Sequence, residues 1–288
     1  MAGRHEERGS GSKDAGPPQV TSEADPGLTG GIRRLSVWAL IGIAVVYLVI
    51  VQGVSKLLAA GLNTTYAAPT SVNELWRSIT VPVLVSLVFV YAVVGLLGWW
   101  RPVFSDDRPV RRWVWALPVI MAVTAVAGMN YGGLGGHGGG FIVLLALSML
   151  AVGFAEEGMF RGLGVVTFRV NGFTEAKVAL WTSVLFGLAH ATNLLTEGPK
   201  ALLQVLVTAV AGYYFYLNRR VSRGLVVPAV VHGLWDFGAI SAAIVANKTY
   251  VGAGLFVLAD VIMVIIVLIR RHRIEPVRNA GDRAASIA

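Results

Sequence analysis

Along this chain, apolar runs of roughly twenty residues alternate with short polar stretches, and each run is long enough to cross a bilayer as one helix. The pattern predicts spans at about 35–59, 79–100, 113–129, 141–168, 174–193, 201–217, 225–246 and 250–269. The expected fold is therefore all-α, a multispanning transmembrane bundle of about eight helices with no room for a soluble domain. Between the runs, residues 1–31 are rich in Gly, Ser, Pro and charge and read as a disordered tail. The stretch 61–77, with Asn63-Thr64-Thr65, reads as a loop or a short interfacial piece. Seven of the nine residues at 132–140 are glycine, so a loop is expected there too.

Composition sharpens this picture. With 55% hydrophobic and 14% charged residues, the chain belongs to the membrane class. The formal charge of +8 resides in short clusters between the runs. These are Arg33/Arg34, the 101–112 segment, Arg169/Lys177, Arg219/Arg220/Arg223 and Arg270/Arg271/Arg273, at alternate ends of the helices. That is the pattern of loops beside anionic lipid, not of a nucleic-acid surface, and it puts both termini in the cytoplasm. No cysteine is present, so a thiol nucleophile and a disulfide framework are ruled out. No cleavable signal peptide is expected, because the first apolar run, from near Leu35, is too long for one. An Ala/Gly/Val/Arg-rich chain without cysteine suits a high-GC bacterium, with the plasma membrane as its location.

Candidate chemistry lies inside the spans. Glu156-Glu157-Gly158-Met159-Phe160-Arg161 interrupts an apolar run, and a carboxylate at mid-bilayer costs about 2.5–3.5 kcal/mol on insertion scales. Arg161 stands one turn after Glu157 on the same face and is its expected ion-pair partner. Glu156 points about 100° round the helix and is left as the free carboxylate. His190, in Phe186-Gly187-Leu188-Ala189-His190, and the pair His232 and Asp236 lie on two further helices. Glu156, His190 and Asp236 each stand thirteen residues from a cytoplasmic basic marker, Arg169, Lys177 and Arg223 respectively. At helical rise that is about 20 Å, so these groups, with His232 one turn shallower, are expected to share a polar pocket. Gly153, Gly158, Gly162 and Gly187 remove side chains where the helices would have to approach closely. Asp260, in the last span, is either structural or functional.

Absence narrows the chemistry. There is no His-Glu-x-x-His, no Gly-x-Ser-Gly in a span and no Gly-x-Gly-Asp. Carboxylate and imidazole remain. In one reading Glu156 is general base to a water held between it and His190, while His232 and a neighbouring neutral group stabilise the oxyanion, with no cofactor required. In the other, His190, His232 and Glu156 bind zinc with a position left open for water. Both suit peptide hydrolysis.

Taken together, Glu-Glu-x-x-x-Arg (Glu156, Glu157, Arg161), Phe-x-x-x-His (Phe186, His190) and His-x-x-x-Asp (His232, Asp236), in this order on successive helices, resemble the CPBP, or Abi, family of intramembrane proteases. That family includes the CAAX prenyl endopeptidase and bacterial self-immunity proteins. The likeness covers about 150–240. It implies a glutamate-dependent endopeptidase in which Glu156 and His190 activate water and His232 and Asp236 line the oxyanion side, with Glu157 and Arg161 as the supporting pair. The prenyl-protein proteases carry Asn where this chain has Asp236, and an ionised Asp cannot donate to an oxyanion. The domain expectation is a tail at 1–31, N-terminal transmembrane helices at 32–140, a CPBP-like catalytic core at 141–246, and a last helix with a basic tail at 247–288. The expected partners are a peptide or membrane-associated protein substrate and the bilayer, with no nucleic acid. Two other functions fit the same polar groups: a non-catalytic membrane protein that binds a peptide or confers bacteriocin immunity, and an ion-coupled transporter. The transporter calls for inverted repeats, and no clear internal repeat is present.

Overall fold

The computed structural model describes residues 33–62, 68–245 and 250–276, and within them the chain is helical, with one isolated two-residue bridge between Ser105 and Gly224. The expected tail at 1–31, the Asn63-Thr64-Thr65 turn and the end of the basic tail lie outside the described residues. The helices are α1 (Val37–Leu58), α2 (Val72–Leu97), α3 (Arg112–Ala127), α4 (Gly139–Val170), α5 (Glu175–Ala189), α6 (Lys200–Ser222), α7 (Val226–Ala243) and α8 (Ala253–Arg270). Six of the helices are long and apolar enough to cross a membrane. The chain is a multi-pass membrane protein. Half of the apolar window of α7 is buried, against 11% of that of α1, so α7 is central and α1 peripheral.

Several boundaries differ from expectation for identifiable reasons. The second span starts at Val72 and not near 79, because Ser71 caps it by accepting from the Glu74 N–H. Within α2 the turn Trp76–Thr80 widens to a π-helix just before Pro82, which has no N–H to give to the carbonyl one turn back. That carbonyl, on Ser78, accepts instead from the Ser55 hydroxyl of α1 at 2.7 Å. The glycine-rich stretch is not wholly a loop. Tyr131–Gly135 forms a helical turn capped by the Asn130 side chain, which accepts from Gly133 N–H, and α4 already begins at Gly139.

The helices pack closely where side chains are missing. A methyl group at Gly153 of α4 would collide with the Ala229 carbonyl of α7, and one at Gly187 of α5 would meet the Val205 carbonyl of α6 at 2.7 Å. Backbone contact of this kind draws α4, α5, α6 and α7 round one interior. Gly158 and Gly162 likewise face Tyr91 of α2 and Val103.

At its C-terminal end α6 runs on to Ser222, so Arg219 and Arg220 are helical and buried instead of lying in a loop. Arg219 donates from Nε to Asp106 at 2.9 Å and from its other two nitrogens to the carbonyls of Pro102, Val103 and Ser105. Arg169 divides its three nitrogens between Asp106 and Glu175. Arg220 forks onto Glu275 at 2.6 and 2.9 Å. Burial pushes the Asp106 carboxyl up, but the Arg169 and Arg219 guanidiniums outweigh it and hold the group below the usual carboxylate range.

Candidate active site

The two acids sit at the end of the regular part of α4. From Gly158 to Gly164 the same helix widens into a π-helical turn before it resumes over Val165–Val170. The Phe154 carbonyl, which accepts from the Gly158 N–H at the start of this turn, also accepts a 3.1 Å bond from the Tyr91 hydroxyl of α2.

Arg161 reaches back from within the π-turn to Glu157, Nη1 to Oε1 at 3.0 Å, as the spacing predicts, and both side chains are fully buried. The same Glu157 Oε1 lies 2.9 Å from Nδ1 of His232 on α7. Since Glu157 can only accept when ionised, that ring nitrogen is the donor. The other ring nitrogen of His232, Nε2, lies 3.4 Å from Asp236 and 3.8 Å from Glu156. One imidazole is thus flanked by three carboxylates. The i, i+4 spacing of His232 and Asp236 brings both to this point, as expected.

His190 closes the other side. It stands where α5 tightens into a 3-10 turn, His190–Asn193. Its Nδ1 lies 2.9 Å from the Phe186 carbonyl, an acceptor only, so Nδ1 carries the hydrogen and the Nε2 lone pair is left for chemistry. The Phe186 ring separates the two histidines, edge-on to His190 at 5.0 Å and to His232 at 5.8 Å. Glu156 is within electrostatic reach of His190, His232 and Asp236, and makes no direct hydrogen bond to His190.

The walls are aromatic. Phe215 of α6 stacks on His232 at 4.4 Å, and the Arg161 guanidinium lies 4.2 Å over Phe186 and 5.3 Å from Phe215. These ring faces give the cation part of what hydrogen bonds would. Even so, Glu157 Oε2 and Arg161 Nε and Nη2 have no hydrogen-bond partner among the described residues. By contrast Glu156 and Asp236 keep 21% and 29% of their side-chain surface open. The structure therefore gathers Glu156, Glu157, Arg161, His190, His232 and Asp236 into one cluster, in which two acids are accessible and one is sealed.

Sequence reasoning missed Phe215, because an aromatic residue in an apolar helix carries no signal of what it faces. It also missed Tyr91. Asp260 lies elsewhere: its carboxyl makes no hydrogen bond or ion pair within the described residues, and the Tyr214 hydroxyl donates to its backbone oxygen. His232 Nδ1 is committed to Glu157 and His190 Nδ1 to a carbonyl. Among the described residues no group of three or more His, Asp or Glu is arranged to hold an ion. In both histidines Nδ1 is engaged and Nε2 is the nitrogen left over, the arrangement a histidine also has when it ligates a metal, but no third ligand is arranged beside them among the described residues.

Residues 138–238 match the family described as Type II CAAX prenyl endopeptidase Rce1-like. The matched segment runs from the start of α4 into α7 and contains all six clustered residues. It is the group that the three motifs resemble, and it supports a CAAX-type intramembrane protease. No curated protein and no solved structure matches the chain.

Proposed function

We propose that this protein hydrolyses a peptide bond within the membrane by a glutamate- and histidine-activated water, acting on a peptide or membrane-associated protein. One observation carries the reading: in a cluster whose other glutamate is sealed by Arg161 and His232, Glu156 is accessible and unpaired by any arginine, within electrostatic reach of a histidine whose free ring nitrogen is fixed by the Phe186 carbonyl. Glu156 accepts a proton from water as the oxygen attacks the scissile carbonyl carbon, with His190 Nε2 holding that water in line. The tetrahedral oxyanion that forms is met by the Nε2 side of His232. The proton then passes to the leaving amine as the C–N bond breaks, giving a carboxylate and a free amine.

Asp236 takes a different part from the asparagine of the prenyl-protein proteases. At 3.4 Å from His232 Nε2 it is a carboxylate beside a donor, and its role in this reading is to orient His232 and hold its charge, not to donate to the oxyanion. Glu157 and Arg161 fix the opposite nitrogen. We also propose that residues 141–246 form the catalytic core, with 32–140 and 247–288 as flanking helices and tails, and that the protein is a bacterial plasma-membrane protein with both termini in the cytoplasm. The basic clusters Arg33/Arg34 and Arg270/Arg271/Arg273 support that orientation.

The test is cleavage of a peptide library by the purified full chain in nanodiscs, comparing wild type with Glu156→Ala and His190→Ala, with and without a strong chelator. Cleavage lost in both variants and indifferent to chelation is the expected result. Cleavage retained in Glu156→Ala would sink the reading. Loss on chelation would return the histidines to a metal, and no cleavage under any condition would favour a peptide-binding or immunity protein.

A further inference from the structure

The turn that carries His190 is held from outside the matched segment. It is a short 3-10 piece, His190–Asn193, and such turns have poorer hydrogen-bond geometry than an α-helix. Left to itself it would be the loosest part of the cluster. Gln52, on α1, spans the gap: its Nε2 donates to Thr192 Oγ1 at 3.1 Å and to Asn193 Oδ1 at 3.4 Å. Thr192 in turn donates to the Ala189 carbonyl at 3.0 Å, directly before His190. Asn193, which is buried, passes the connection on by donating to Gln204 of α6 at 3.0 Å. A chain of side-chain amides thus runs from Gln52 of α1 through Asn193 to Gln204 of α6, with the Thr192 hydroxyl as a branch.

The position of Gln52 is informative. It stands in α1 just past the apolar run Leu40–Val51, one turn before Lys56, and is itself exposed, so what sets it apart is where its hydrogens go. Its acceptors belong to the turn that carries His190. The helix has other anchors: the Tyr47 ring packs edge-on to Phe160 at 6.4 Å, and Ser55 bonds the Ser78 carbonyl. Gln52 is therefore not what docks α1.

On the protease reading above, we infer that Gln52 is a positioning residue that fixes the His190 turn through Thr192 and Asn193, so that α1 completes the active site. A shift of about 1 Å at a reacting group can cost about 100-fold in rate, which sets the upper end of the effect.

The experiment uses the full chain in nanodiscs. Gln52→Met keeps length and apolar contact but has no N–H. It is expected to lower kcat by tenfold or more, up to about 100-fold, with KM little changed and melting temperature unaltered. Gln52→Lys reaches as far and can donate, and is expected to recover most of the loss. Hydrogen exchange at residues 190–193, which needs no substrate, is expected to quicken in Gln52→Met and not in Gln52→Lys. Unchanged exchange and kcat in Gln52→Met would overturn the inference, and so would equal losses in the Met and Lys variants. If exchange quickens in Gln52→Met but no form of the protein cleaves anything, the protease reading falls and the tie between Gln52 and the turn stands.

Discussion

Two buried ionic clusters draw on α4, one at its last turn through Arg169 and one midway along it at Glu156, Glu157 and Arg161, and they are built to opposite specifications. At the last turn of α4, Arg219 uses all three of its nitrogens on Asp106 and three backbone carbonyls, and Arg169 uses all of its own on Asp106 and Glu175. Inside the membrane, Arg161 makes one charged bond and leaves Nε and Nη2 without a partner among the described residues, while Glu156 forms no ion pair with an arginine among them. Desolvating a charge is costly and a fully partnered cluster offsets that cost, so the first arrangement is what holding a fold requires. The second is incomplete where a fold would want it complete. Glu156 and Asp236, which a scaffold would neutralise, keep part of their surface open, which is what chemistry on a water requires.

The contrast is broken most sharply by Glu156→Gln. Cleavage is expected to drop by about 100- to 10,000-fold, the range for losing a general base, with the melting temperature unchanged. Activity assays beside thermal melts of the same sample check this. The converse substitution is Asp106→Ala, which strands Arg219. It is expected to destabilise by about 3–5 kcal/mol while the folded fraction keeps its kcat, as read by denaturant melts and active-site titration. Glu157→Gln lies between the two, because Glu157 serves Arg161 and His232 together. It is expected to lower stability and kcat alike, and Arg161→Met in the same chain is expected to restore part of the stability and none of the activity.

The smallest effect is a matter of pH. The Asp106 carboxyl is held below its ordinary value, so its contribution to stability is complete above the unfolded value of about 3.9 and is lost as pH falls through the folded one. Melting temperature is expected to fall on the acid side below about pH 4, and Asp106→Asn is expected to flatten that limb. A limb unchanged in Asp106→Asn would assign the acid sensitivity to another group.

What could be read in the sequence was what lies within one helix. The pairing of Glu157 with Arg161 and of His232 with Asp236 follows from i, i+4 spacing and is found. The convergence of three helices on one depth followed from counting residues back to basic markers, because helical rise is regular. The rotation of each helix about its axis could not be read. His232 was expected beside the oxyanion, and its bond to Glu157, 75 residues away, depends on how α4 and α7 face each other. The arginines misled in a different way. Arg219 and Arg220 were taken as loop charges marking the cytoplasmic side, and charge counting treats such residues as solvated. It has no means of seeing that Asp106, 113 residues earlier, would draw Arg219 out of water.

The π-turn at Gly158–Gly164 lies between the two clusters and sets their phase. A π-turn accommodates extra chain without unwinding the helix, so the residues beyond it are rotated relative to those before. Deleting one residue there would leave a respectable α-helix, and a longer unbroken ladder of backbone bonds. It would also turn Arg169 by about 100° relative to Glu156 and Glu157. Either the guanidinium would leave Asp106 and Glu175, or the two glutamates would leave His232. This segment therefore works as an indexing joint, its length fixed by the need to serve both clusters at once.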